Sequence, residues 1–299
     1  MKWRTAALVA GLLGLMAVLA VLSMKDDSVT NDEIAHIAAG YSYLTQQDYR
    51  LNPEHPPLVK DLAALPLLFL DINFPLSHPA WTEKVNGEWE FGQAFLYLSG
   101  NNAEQIVFWA RVPMVFLLLI LGLLLYYWAK ELGGEKNFFF PLFVLVLFVF
   151  CPNFLAHGRL VTTDVAATLG FVLSIYFFLR LLEHPSWQRA CIFAFALGFA
   201  LLVKFSTIIL LPVFLLLGFL YMLIQGTLSD MTVMRKYFFS AGIAICVVLF
   251  LVGAVYQFHI QHYSPERQMR DSQVILGQYY EVPPETISFD FANNVFLRP

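Results

Sequence analysis

The sequence predicts an all-α, polytopic helical membrane protein of about seven transmembrane helices, with interfacial helices in the first extracytoplasmic loop. Three observations predict it. Hydrophobic residues make up 59% of the 299 residues and charged ones 13%, whereas a soluble domain carries roughly 25% charge. Mean hydropathy is +0.65. Apolar runs long enough to cross about 30 Å of hydrocarbon recur along the chain, with the charges gathered between them.

The runs lie at 5–24, 106–129, 138–156, 165–182, 190–203, 205–224 and 237–256. Lys2 and Arg4 precede the first, and Ala20 stands near its end, as in a signal peptide. Thr5 to Met24 is longer than a usual signal core and the chain is polytopic downstream, so an uncleaved anchor is expected. Lys204 interrupts the apolar stretch from Ala190 to Ile224. We read it as a tight outer turn between two helices; a buried mid-helix lysine is the alternative.

With the N-terminus inside, the inner segments hold Lys2, Arg4, Lys130, Lys136, Arg180, Arg189, Arg235 and Lys236 against Glu131, Glu135, Glu183 and Asp230. The other segments carry the acidic excess. This asymmetry fits the positive-inside rule and predicts a multi-pass cell (inner) membrane protein. Loops 25–105, 157–164 and 257–299 then lie on the extracytoplasmic side.

Cys151, Cys191 and Cys246 all fall in apolar runs, without CxxC spacing. They are expected to be buried thiols rather than disulfides or metal ligands. The chain has no long Lys/Arg tract, nucleotide-binding glycine loop or HExxH. A nucleic-acid partner and cytosolic nucleotide chemistry therefore have no support.

Within the first outer loop, Ile34, Ile37, Tyr41 and Leu44 recur at helical spacing, which predicts a helix over 33–46. Residues 57–70 form a second apolar stretch too short to span, suited to the interface plane. Between them, QQDYRLNPEHPP is a turn, and 71–104 reads as irregular surface structure. The expected organisation is a transmembrane catalytic module over 1–256, then an extracytoplasmic segment over 257–299. The chain is expected to continue beyond Pro299.

Asp32 and Glu33 open the 33–46 helix. Thr30 and Glu33 fit a capping box, and first-turn acids complement the helix dipole. That explains Glu33 better than Asp32. The chemical alternative is a carboxylate that takes a proton from an acceptor hydroxyl at the headgroup boundary. His36 follows Asp32 by four residues and can tune either acid. In Asn52-Pro53-Glu54-His55-Pro56-Pro57 the prolines fix the turn, while Glu54 and His55 are substrate-contact candidates. His55 can donate a hydrogen bond to a phosphate.

Asp164 follows Thr162 and Thr163 at the start of the fourth run, where a capped helix acid is the bland reading. His157 and Arg159 share its short loop. Arg159 can hold a phosphate through paired hydrogen bonds, and Asp164 can hold an acceptor or a divalent metal ion. Lys204 and Arg111 lie at outer span ends, where snorkelling is the default; Lys204 can also neutralise a lipid-linked phosphate.

The acidic pair after the first span, GYSYL, NPEHPPL and HGRLVTTD together resemble the GT-C membrane glycosyltransferases. The nearest groups are the protein O-mannosyltransferases and the bacterial lipid A aminoarabinose transferases, and the likeness covers about residues 1–225. It implies a polyprenyl-phosphate-linked sugar donor and a hydroxyl acceptor (protein Ser/Thr, lipid or glycan). It implies catalytic acids at Asp32, with Glu33 beside it, and at Asp164. In the aminoarabinose transferases a lysine that contacts the lipid phosphate precedes Pro-Pro; His55 stands there in this chain. The family is usually longer, with more spans and often a C-terminal soluble domain. The implied mechanism is a single inverting displacement with Asp32 as base and Arg159, Lys204 and His55 on the leaving phosphate. No cofactor is required by the spacing, and a metal is expected only as an option at Asp164. A transporter or flippase is the rival reading, but it predicts charges at helix centres. A non-catalytic scaffold would need neither aspartate.

Overall fold

A computed structural model describes residues 2–25, 27–134 and 137–287. Glu135 and Lys136 of the charge pattern, and the last part of the C-terminal segment (288–299), lie outside the described residues. In chain order the α-helices are α1 (Lys2–Met24), α2 (Asn31–Gln46), α3 (Leu58–Ala64), α4 (Pro79–Thr82), α5 (Glu88–Gln93) and α6 (Ala103–Gly133). There follow α7 (Phe139–Val149), α8 (Pro152–His157), α9 (Asp164–Glu183), α10 (Trp187–Val203), α11 (Leu210–Ile224), α12 (Met231–His259) and α13 (Pro265–Tyr280). There is no strand among the described residues. The chain forms two compact units, one from Ser28–Arg111 with the described residues from Val255 on, the other from the residues up to Asp27 with Val112–Ala254.

The second of these units is the membrane unit. Among the described residues, five helical stretches are long and apolar enough to cross a bilayer: Trp3–Met24, Ala103–Gly133, Asp164–Glu183, Phe205–Ile224 and Met231–His259. Phe139–Val149 and Trp187–Val203 are shorter apolar helices. The expected span at 138–156 is thus divided. Pro152 lacks an amide donor and disfavours helical backbone at the residue before it, and Cys151 is extended, with ψ 117°. Helices α9 and α10 pack closely at Gly170, where a Cβ would stand 2.9 Å from the Ala200 Cα. Phe178, Phe193 and Phe214 fill the adjoining core, with Phe178 and Phe214 stacked at 4.4 Å. Leu215, Leu249 and Phe250 point outward, apolar surface of the kind a lipid bilayer covers. The cysteines correct the expectation of buried thiols: Cys151 and Cys191 are half-buried and Cys246 is exposed, all three free. A small polarizable thiol suits a lipid-facing position as well as a core.

The loop unit is built around α2. Glycine allows its neighbours to approach: a Cβ on Gly40 would fall 2.1 Å from the Lys60 carbonyl oxygen, and one on Gly92 would fall 2.2 Å from that of Ile34. These contacts seat α3 and α5 against α2, so α2 is mostly buried. Leu65, Leu68 and Phe69, in the 3-10 turn after α3, stay exposed. The stretch 71–104 is only partly irregular. It folds into α4, α5 and a π-helical turn at Ala94–Leu98, because Trp81, Phe91 and Phe95 supply a core with Phe74. Ser264 caps α13 and Pro265 occupies its first turn. From α13, Arg267 donates to the carbonyls of Thr82 and Lys84, and Arg270 to that of Glu83.

Candidate active site

The two acids at the start of α2 have opposite environments. Glu33 is fully buried. Its carboxylate accepts from the Thr30 amide at 2.9 Å and the Thr30 hydroxyl at 3.0 Å, which is the reach-back of a capping box. It also takes two hydrogen bonds from Arg111, at 2.8 and 2.6 Å, in a pair with neither side chain exposed. Arg111 donates further to the Ser28 carbonyl. Arg111 therefore does not snorkel; it neutralises Glu33. Asp32 is exposed and makes no hydrogen bond or ion pair among the described residues. Its charge is felt by Glu88, together with that of Glu54.

The turn between α2 and α3 is held from both sides. Asn52 is left-handed, with φ 51°, a conformation asparagine tolerates better than most residues. Its amide nitrogen donates to Asn86 Oδ1 and its side chain to Glu88. Asn86 Nδ2 donates in turn to Glu54 at 2.7 Å. The His55 ring meets the buried His36 ring edge-on at 5.4 Å, so these two predicted residues are brought together. Within the buried run 51–57 only Glu54 and His55 are not buried.

Sequence reasoning missed Lys60. It is completely buried, and its ammonium donates to Asn52 Oδ1 at 2.6 Å, the His55 carbonyl at 2.8 Å, the Asn52 carbonyl at 2.9 Å and the Tyr43 hydroxyl at 3.1 Å. Burial brings its pKa down to about 7, against the pull of Asp61, Glu88 and Glu54. The available signal was its register: Lys60, Ala63, Ala64 and Leu67 fall on one buried helical face. Next to it, Asp61 faces His259 Nε2 at 2.9 Å, while His259 Nδ1 meets the Val255 carbonyl at 2.6 Å. A nitrogen facing a carbonyl must donate, so Nε2 and the Asp61 carboxyl hold one proton between them. Burial raises the Asp61 pKa, and the His259 bond opposes that rise. Burial likewise raises the Glu88 pKa; Asn52 opposes it, and the charges of Glu54 and Asp32 add to it.

In the membrane unit, Asp164 opens α9 without a side-chain cap from Thr163. Its carboxylate accepts from Lys204 Nζ at 2.7 Å. Lys204 sits in extended backbone between α10 and a 3-10 turn, as the tight-turn reading expects. Arg159, expected beside Asp164, instead pairs with Asp27 at 2.5 Å and donates to the Ser23 carbonyl at 3.1 Å. His157 is exposed at the end of α8. These two ion pairs keep two cations and two carboxylates partly exposed. Among the described residues no group of three His, Cys, Asp or Glu is placed to hold a metal ion, and Asp164 has an ammonium as its near neighbour.

Residues 89–256, more than half of the chain, match the family model of dolichyl-phosphate-mannose-protein mannosyltransferases. The chain belongs to that family. It is a multi-pass membrane glycosyltransferase of the GT-C type. No curated protein and no solved structure matches it. The matched stretch of this glycosyltransferase contains Arg159, Asp164 and Lys204, while Asp32, Glu33, His36, Glu54 and His55 precede it.

Proposed function

We propose that this glycosyltransferase moves a sugar from a polyprenyl-phosphate-linked donor to a hydroxyl acceptor on the extracytoplasmic face, with inversion and with Asp32 as general base. The family supports the donor class, and its description adds mannose as the sugar and protein as the acceptor. The observation that carries the assignment of the base is the division of labour at the start of α2. Glu33 is consumed by Arg111 and the helix cap, whereas Asp32 is exposed and unengaged among the described residues. A carboxylate in that state can accept the acceptor hydroxyl's proton as its oxygen attacks the anomeric carbon. The bond from that carbon to the phosphate oxygen breaks, and the leaving polyprenyl phosphate takes the electron pair. Arg159, Lys204 and His55 are assigned to the charge that develops there. In this reading Asp164 holds Lys204 ready, the catalytic module extends over 1–256, and no step runs through a metal.

The test supplies membranes containing the protein with radiolabelled polyprenyl-phosphate mannose and a Ser/Thr peptide. Label should move to the peptide, polyprenyl phosphate should be released in equal amount, and the product anomer should be inverted. Release of phosphate with retention, or label that moves across the bilayer without transfer, would overturn the reading.

A further inference from the structure

We propose that Lys60 is a positioning residue of the donor site, a buried amino group that sets the His55 imidazole and the Glu54 carboxylate through the backbone of the turn 52–55. The inference rests on the assignment of His55 to the donor phosphate. Its basis is what Lys60 binds. A buried cation ordinarily pairs with a buried acid, and two acids are close. Yet Asp61 is turned to His259 and Glu88 to Asn52. Every hydrogen bond of Lys60 goes instead to Tyr43 or to the turn, and two of them end on the carbonyls of Asn52 and His55. Tyr49 donates its hydroxyl to the same His55 carbonyl at 2.5 Å. An amino group that donates to backbone carbonyls fixes backbone.

The backbone it fixes is the one that displays the candidate contacts. From Leu51 to Pro57 the chain is buried except at Glu54 and His55. Asn86 holds Glu54 from the far side, and the His36 ring abuts that of His55. The turn is therefore a rigid mount with two side chains left outside. Loss of the Lys60 donors would take a donor from the buried Asn52 Oδ1, leave the Asn52 and His55 carbonyls to the tyrosine hydroxyls, and let the mount open locally.

Two variants test this, Lys60→Gln and Tyr49→Phe, in the full-length protein. Two readouts are used: donor KM and kcat, and the rate at which diethylpyrocarbonate modifies His55, followed by peptide mass spectrometry with exposed His157 as reference. We expect donor KM to rise about tenfold with kcat within about twofold. We expect His55 modification to rise about threefold while His157 stays unchanged, as for a local opening. A merely structural role would lower the yield of active enzyme, and so kcat per milligram, leaving KM and the His55 rate as in wild type; that result overturns the proposal. If Lys60→Gln does not fold, Tyr49→Phe decides by the same two readouts. If the wild type shows no donor-dependent transfer, the proposed function fails, and the His55 modification rates alone still decide whether Lys60 mounts the turn.

Discussion

At the scale of single residues, neighbouring acids carry opposite predictions. Replacing Glu33 with Ala removes the carboxylate that neutralises the buried Arg111 guanidinium, which should cost about 3–5 kcal/mol. Replacing Asp32 with Ala removes an exposed group and should change stability by about 0.5 kcal/mol or less. Thermal melts of the purified protein in detergent measure both. Lys60 supplies a pH signature. Burial lowers its pKa to about 7 in the folded state, against about 10.4 in an unfolded chain. Between these values the unfolded chain binds a proton that the folded chain does not, so stability should rise with pH across that window. The raised carboxyls of Asp61 and Glu88 act in the opposite sense, favouring the folded state below their folded pKa and losing that stability as pH rises through it. Tyr43 and Tyr49, raised well above their ordinary value, work against stability only on the alkaline side of about pH 10. The melting temperature should therefore climb from about pH 7.5 to 9.5, and a folded Lys60→Gln variant should lose the climb. A flat wild-type profile would show that Lys60 remains charged throughout.

At the scale of elements, the packing of α3 and α5 on α2 depends on two positions without a Cβ. Gly40→Ala and Gly92→Ala each push a methyl into carbonyl oxygens that belong to backbone. Each should cost about 1–3 kcal/mol, again read from the melt, and Gly40→Ala should also disturb the Lys60 turn. A loss below the precision of the melt would mean that these helices can separate freely. Much at this scale was legible in the sequence. The α2 helix announces itself by its capping box and apolar spacing, and the spans by their length. What could not be read was which polar groups would meet. Arg111 looked like a lipid-anchoring cation because its partner Glu33 lies in another helix, far away in sequence. Lys60 was not singled out within the apolar stretch 57–70 because the acceptors that surround it come from α2 and the preceding turn. The stretch 71–104 looked irregular because its helices are too short to show a period, and only their buried aromatics hold them.

At the scale of the whole molecule, the polytopic helical fold and the family followed from composition and ordered motifs, and the apolar exterior of α11 and α12 fits a bilayer. The third span was read as one helix because its apolar composition runs through Pro152, whose backbone effect divides it. The sequence named candidate residues but not their partners: Asp164 joins Lys204, as charge alone would allow, whereas Arg159 turns to Asp27. The account as a whole turns on Asp32 as the group that removes the acceptor's proton. The most direct measurement is the transfer rate of Asp32→Asn from a polyprenyl-phosphate sugar, taken beside its melting temperature. The account predicts a melt like the wild type and a kcat lowered by about 10²–10⁴-fold. Wild-type transfer by a folded Asp32→Asn protein would contradict it.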